Sequence, residues 1–433
     1  MFLRRLILPF CLLYFIAAGY LFIPYAGIQN DEALFATAIY NQLGISDKIQ
    51  LYGAEIPLML MSYLGALKTW IYAPMFKLWS PSTVSLRLPV LFLGAITIGL
   101  FWRLLARTTG RTGAAIGSIL LATDALYLMT TVYDWGPVAL EHFLLVSAAG
   151  GLVEFYHSKS RRALFLSFFA FGLALWDKAI FIWVLTGLCA GAVTIFPREI
   201  WRCVSGRNIA AALAGLLIGA APLVWYNIRY PLDTFRSNTR WDASEVAGKT
   251  RHLRATLEGE ALFGYLVRDE DRPREPSTPL ERASVWLSRS AAGTRAGLAY
   301  YALLAAFAAL PWLWRSTARR TMLFCLIAFL TGWGQMLLTK GAGGSVHHVI
   351  LLWPLPHFLL AAAGAEAARR FPRVGGLAVA LVAGSNVIVT NEHLSAFIRS
   401  GPGIVWTDAL LPLSHRLSSI EARTVFIVDW GIL

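Results

Sequence analysis

The chain has 433 residues, 57% of them hydrophobic and 15% charged, with a formal net charge of +13. This composition excludes an ordinary soluble globular protein and selects a polytopic membrane protein. The basic residues stand in small clusters between long apolar runs, a pattern that orients membrane segments and is not the footprint of nucleic-acid binding.

The N-terminus, Met1 to Arg5 followed by the apolar Leu6 to Pro24, has the layout of a secretory signal, but its apolar part is long enough to span a bilayer. It is read as a retained first helix. Directly after it comes Gln29-Asn30-Asp31-Glu32-Ala33-Leu34-Phe35, two adjacent carboxylates at a membrane surface, where ionised groups lose hydration. Asp31 suits a general base for an incoming hydroxyl, with Glu32 helping to bind a metal or the acceptor. Equally, Asn30 or Asp31 suits an N-cap for the next helix, and the two readings are compatible.

Ile56 to Trp79 is apolar enough to span. Counting it as a span would move every later basic loop outside, so it is read as juxtamembrane helices on the outer face, broken at Pro57 and Pro74 and carrying Lys68 and Lys77. Further spanning runs fall at roughly 88–105, 113–132, 137–156, 163–176, 179–196, 208–226, 294–314, 321–338, 349–366 and 374–390, which with the first makes about eleven helices. Every second connection is basic: Arg4 and Arg5; Arg103, Arg107 and Arg111; Lys159, Arg161 and Arg162; Arg198, Arg202 and Arg207; Arg315, Arg319 and Arg320; Arg369, Arg370 and Arg373. This alternation predicts an N-inside, C-outside topology in a plasma or inner membrane, with Asp31 facing the periplasm or exterior.

Three other outer positions carry chemistry. Asp134, beside Trp135 and Pro137, is a second acidic residue or a helix cap. In Trp176-Asp177-Lys178, the lysine is a snorkelling side chain, a local ion-pair partner of Asp177, or a cation for a lipid phosphate. His347 and His348 follow a Gly-rich turn; adjacent histidines lack the helical spacing of a metal pair, and a turn whose amides approach a phosphate competes with a plain flexible loop. Glu141, His142 and Glu154 are the charged or polar exceptions inside an otherwise apolar span. Cys11, Cys189, Cys203 and Cys325 have no paired spacing, so neither a disulfide framework nor a zinc site is predicted. The connection at about 227–292 mixes Arg, Asp, Glu and Pro and is predicted to be solvated and mobile. Residues 1–391 are taken as a transmembrane catalytic body and 392–433 as an exterior segment, the start of a further soluble domain, in which Thr424 to Val428 reads as a strand. No nucleotide-binding, nucleophile-elbow or zinc-protease motif is present, so an activated donor on the outer face would be carried by lipid.

In layout the chain resembles the GT-C glycosyltransferases, specifically the polyprenyl- or dolichyl-phosphate-mannose protein mannosyltransferase and aminoarabinose transferase superfamily. The acidic pair Asp31-Glu32, the run Ser85-Leu86-Arg87-Leu88-Pro89 before the next span, Lys68 before an apolar juxtamembrane stretch, Asp134 and Lys178 at later outer helix starts, and His348 to Pro354 are similar to that family's motifs. The resemblance implies an all-α membrane fold and an inverting transfer of a hexose or pentose from a polyprenyl-phosphate donor to a hydroxyl on a protein, lipid or glycan. It implies Asp31 and Glu32 as catalytic, Lys68, Arg87, Lys178 and His348 as donor-phosphate contacts, and Asp134 and His347 on the acceptor side. A divalent metal, if used, would find ligands in Asp31, Glu32 and Asp134. Ala54-Glu55-Ile56-Pro57-Leu58 stands where the aminoarabinose branch has Lys-Pro-Pro-Leu, and 227–292 lacks the folded exterior domain of the protein-mannosyltransferase branch. A transporter of lipid-linked sugar and an inactive scaffold of the same fold are the competing readings.

Overall fold

The structure is a computed structural model that describes residues 2–40, 44–238, 240–268, 274–314, 316, 318–406 and 409–421; the strand expected at Thr424 to Val428 lies outside them. Chain order begins with α1 (Phe2–Phe22) and α2 (Asn30–Tyr40), then a small sheet of β1 (Asp47–Leu51), β2 (Ala54–Met61) and β3 (Leu64–Gly65). Next come α3 (Leu67–Phe76), α4 (Thr83–Thr108), α5 (Gly110–Thr123), α6 (Ala125–Val132), α7 (Val138–Ser158) and α8 (Arg161–Asp177). Beyond a short 3-10 turn are α9 (Ile182–Ile195), α10 (Pro197–Cys203), α11 (Gly206–Gly219), α12 (Ala221–Arg229), α13 (Asp233–Asn238), α14 (Val246–Glu258) and α15 (Pro279–Ser290). The chain continues through α16 (Ala299–Ala308), α17 (Ala318–Leu338), α18 (Val346–Val349), α19 (Leu355–Arg370), α20 (Pro372–Ser400) and α21 (Leu410–Ser418).

Each expected apolar run falls on helix. By length and hydropathy, four helices among the described residues are able to cross a membrane, and up to eight spans result if each bent pair counts as one. Two of those bends are pinned to each other. Asp124 separates α5 from α6 at an angle of 58°. Its Oδ1 accepts the Tyr127 amide at 2.7 Å, the ordinary work of an N-cap. Its Oδ2 accepts the Trp353 indole N–H at 3.1 Å and lies 3.1 Å from His357 Nε2, at the 42° bend between α18 and α19. A carboxylate buried in the bundle is thus fully partnered, as burial demands.

Two expectations are corrected. The segment read as outer juxtamembrane helices opens instead as a strand: β2 pairs antiparallel with both β1 and β3, and only α3 is helical. Pro57 lies in the part of β2 that has β1 alone beside it, where a missing N–H breaks no ladder. The described residues of the 227–292 connection are folded: Lys249 on α14 is buried and donates to the carbonyls of Met336, Leu337 and Thr339 at 2.7–3.4 Å, satisfying the open C-terminal end of α17. α15 packs on α20 with its N-terminus closed by a Thr278/Glu281 capping box. Finally, α20 runs through residue 391 to Ser400, and a bridge between Val267 and Pro402 ties the end of α20 to the same connection.

Candidate active site

α2 begins with a reciprocal pair in the manner of a capping box. The Gln29 side chain accepts the Asp31 amide at 2.6 Å, while Glu32 accepts the Gln29 amide at 3.2 Å. Capping therefore falls to Gln29 and Glu32, and the Asp31 carboxylate is left free of it.

Glu32 is committed further. Its two oxygens take Arg87 Nε and one terminal nitrogen, each at 2.8 Å. Arg87, which is 0% exposed, donates its other N–H groups to the carbonyls of Ile23, Ala26 and Gly27 at 2.6–2.8 Å and lies over the Tyr133 ring. All five guanidinium donors are satisfied, none is left for a phosphate, and the pair instead holds the turn from α1 to α2 against the first turn of α4. Arg87, expected at the donor phosphate, and Glu32, expected beside Asp31, are thus engaged with each other.

The small sheet fixes two lysines. Leu64 bridges to Lys178, and the Ala179 amide donates to Tyr63 at 2.8 Å. At Gly65 an added Cβ would lie 1.9 Å from the Trp176 carbonyl oxygen, so only glycine lets β3 sit on the end of α8. Lys68, three residues on, is buried, forms an ion pair with Asp134, and lies 3.4 Å from the Gly136 carbonyl. The Asp134 Oδ1 also accepts the Ala139 amide at 3.2 Å, at the start of α7. Lys68 and Asp134 thus neutralise each other. Gly136 has a φ of +74° and a Cβ there would stand 3.5 Å from Lys178 Nζ, which brings both lysines to one turn.

Lys178 differs from its neighbour. It is 3% exposed, and among the described residues its ammonium has no ion pair or hydrogen bond. Burial pulls it below the usual lysine value, against the upward pull of Glu141, Asp31, Asp177 and Asp134. Asp31 is half-buried; burial raises its carboxyl above the ordinary aspartate value, opposed by Lys178, the Trp135 indole and Lys68. Around this pair stands a wall of rings. Trp135 stacks on Tyr265 at 4.3 Å and meets His347 at 4.7 Å, and His347 meets His348 at 4.2 Å. Burial first and the Asp31 charge second push the Tyr265 hydroxyl up to about 12, and the Tyr63 hydroxyl is raised by the same two causes.

Of the predicted site residues, Asp31, Lys178, His347, His348 and the Lys68–Asp134 pair converge here, and Glu32 and Arg87 stand just behind as support. Tyr63, Tyr265 and His252 were missed. His252 sits on α14, near enough to His347 and His348 to act on both, and lay in a segment whose composition gave no sign of folding. Among the described residues no three His, Cys, Asp or Glu side chains are grouped to hold a metal ion. Glu32 and Asp134 are each engaged by a cation, which does not suit a shared metal with Asp31, and the proposed mechanism has no step through one.

No protein-family model and no curated protein matches the chain. Solved structures do. The Archaeoglobus fulgidus oligosaccharyltransferase in its apo form aligns with a TM-score of 0.55 at 14% identity, over 94% of this chain and 57% of that one. The archaeal oligosaccharyltransferase AglB of the same organism, in complex with an inhibitory peptide and a dolichol-phosphate, gives 0.55 at 13% identity, again over 94% and 57%. ArnT from Cupriavidus metallidurans bound to undecaprenyl phosphate gives 0.51 at 11% identity, over 91% of this chain and 76% of that one. Both kinds of neighbour are GT-C glycosyltransferases, and at such identities the likeness is one of fold. The chain spans little more than half the length of the oligosaccharyltransferase it matches.

Proposed function

We propose that this chain is an integral membrane glycosyltransferase that moves a sugar from a polyprenyl-phosphate-linked donor to a hydroxyl on a protein, lipid or glycan at the exterior or periplasmic face of the inner membrane, with inversion at the sugar carbon. The observation that carries this reading is the electrostatic coupling of Asp31, whose carboxylate is free of the helix cap, to the buried Lys178, whose ammonium has no ion pair or hydrogen bond among the described residues, with the rings of Trp135, Tyr265, His347 and His348 set against one another nearby. GT-C neighbours with a polyprenyl or dolichol phosphate bound support a lipid-linked donor.

In this mechanism the acceptor hydroxyl donates a hydrogen bond to Asp31 and attacks the sugar's anomeric carbon. The new C–O bond forms as the bond to the phosphate oxygen breaks, the hydroxyl proton passes to Asp31, and the polyprenyl phosphate departs with the bonding pair. Charge grows on that leaving phosphate, and a desolvated ammonium stabilises it more in the transition state than in the ground state. Lys178 supplies the ammonium, with His348 as a neighbouring donor. Lys68, held by Asp134, acts at one remove by keeping the turn at Gly136 in place. His347 and the Trp135–Tyr265 stack offer a flat apolar face to a sugar ring on the acceptor side. Orientation is read from the basic connections of the sequence, with Asp31 outside; the four long helices, four bent pairs and two shorter apolar helices give ten crossings, and α8 (Arg161–Asp177) is taken as the eleventh.

Asp31→Asn and Lys178→Ala are the direct tests. With a polyprenyl-phosphate sugar as donor, each is expected to lower transfer by roughly 10²–10⁴-fold while the purified protein keeps its unfolding temperature. Transfer at the wild-type rate by Asp31→Asn would remove the assignment.

A further inference from the structure

The bundle has a second recess with its own charge, which the proposed transfer does not use. A cavity of about 780 Å³ is lined by Leu310, Pro311, Trp312, Trp314 and Arg370. It stands where the turn between α16 and α17 meets the last residue of α19. That helix is 16 residues long, so Arg370 lies about 24 Å along the axis from the bend that follows His347 and His348. Within the turn, Leu310 and Leu313 are buried, while Trp312 and Trp314 are 76% and 55% exposed. Arg319, in the first turn of α17, lies over the Trp314 ring at 4.2 Å and donates to the Trp314 carbonyl at 3.2 Å. On α19 the buried Glu366 gives a single oxygen to both Arg369 and Arg370, at 2.7 and 2.8 Å. Among the described residues Arg319 has no carboxylate partner, and Arg370 is engaged only through its Nε. Three guanidiniums therefore stand against one carboxylate, and the two terminal nitrogens of Arg370 remain for an anion beside an aromatic wall.

A guanidinium takes phosphate oxygens two at a time, and a basic recess between membrane helices suits an anionic headgroup. The rest of the lining is apolar. A free phosphate would leave it bare, whereas the glycerol and first acyl carbons of a lipid would cover it, and indole rings favour the depth at which those groups lie. The two connections that meet here, one with Arg319 and Arg320 and the other with Arg369, Arg370 and Arg373, belong to the basic set read as facing away from Asp31. We propose that this cavity binds the headgroup of an anionic glycerophospholipid in the leaflet opposite the transfer site, with Arg370 on the phosphate and Trp312 and Trp314 against the glycerol and upper acyl chains. The site is separate from Lys178 and does not depend on the donor reading.

The test is native mass spectrometry of the purified full chain in detergent, titrated with phosphatidylglycerol or with phosphatidylcholine of the same acyl chains. Wild type is expected to retain phosphatidylglycerol the more tightly, and Arg370→Gln to weaken that retention about fivefold, the effect of one basic contact at an anionic lipid surface. Should Arg370→Gln fail to fold, Trp312→Ala, at an exposed position, carries the test with the same expected direction. Equal retention of the two lipids by wild type, or unchanged retention of phosphatidylglycerol by the folded variant, overturns the inference. So does an equal loss in Arg162→Gln, an exposed arginine at the start of α8 in another basic connection, which would reduce the effect to general charge attraction. A loss in Lys178→Ala in place of Arg370→Gln would put the lipid at the transfer site, and displacement of the lipid by an equal concentration of glycerol phosphate would make the ligand a free phosphate; either result overturns the inference.

Discussion

At the scale of single residues, the site separates charges that are engaged from charges that are free. Asp31 and Glu32 are adjacent in sequence and indistinguishable by type, yet Glu32 is locked to Arg87 and Asp31 is not. Breaking a buried ion pair from one side leaves an uncompensated charge. Glu32→Gln is therefore expected to destabilise the protein by about 3–5 kcal/mol, seen as a lower unfolding temperature in detergent, whereas Asp31→Asn leaves that temperature in place; equal stability of the two variants would contradict the division. The raised Asp31 carboxyl also sets a pH dependence. A general base works only when deprotonated, so transfer is expected to rise with pH through a value above the ordinary aspartate range and to fall on the acid side. An acid limb at the ordinary aspartate value would argue that the carboxyl is not desolvated. The sequence made the acidic pair legible because two carboxylates at a membrane surface are costly. It did not reveal which of the two is free, because that depends on Arg87, 55 positions away.

Among elements, the ones that position the site are those that composition describes least well. Long apolar runs are legible because a bilayer demands them, and each falls on helix. A short apolar stretch such as Ala54–Met61 does not distinguish strand from helix by periodicity, and here pairing with Lys48 to Leu51 decides it. In the same way α14 looks like a charged loop in sequence; its order comes from Lys249 reaching the end of α17, a contact between segments 87–90 residues apart. The sheet matters to function because β3 seats Lys68 and Lys178 together through the close approach of Gly65 to Trp176. Gly65→Ala forces that contact apart, and a loss of about 1–3 kcal/mol in stability is expected from the overpacking, with transfer falling further than stability alone explains. Unchanged transfer in folded Gly65→Ala would show that the sheet does not set the lysines.

For the whole molecule, the fold is a helical bundle of GT-C type in which two bent helix pairs meet at Asp124 inside. Asp124 and His357 are the kind of interior polar side chains that a transporter would also carry, but Asp124 contacts both His357 and Trp353 across two helix bends, which suits a fixed scaffold. An enzyme and a transporter of lipid-linked sugar differ in what becomes of the bond between sugar and phosphate. The decisive measurement uses sealed vesicles containing the purified chain, polyprenyl phosphates bearing radiolabelled sugars, and an envelope extract as acceptor. It tracks the appearance of free polyprenyl phosphate and of labelled glycoside. Wild type is expected to release the lipid phosphate and Asp31→Asn to release none; intact sugar-lipid crossing the vesicle membrane, with no phosphate released, would contradict the account.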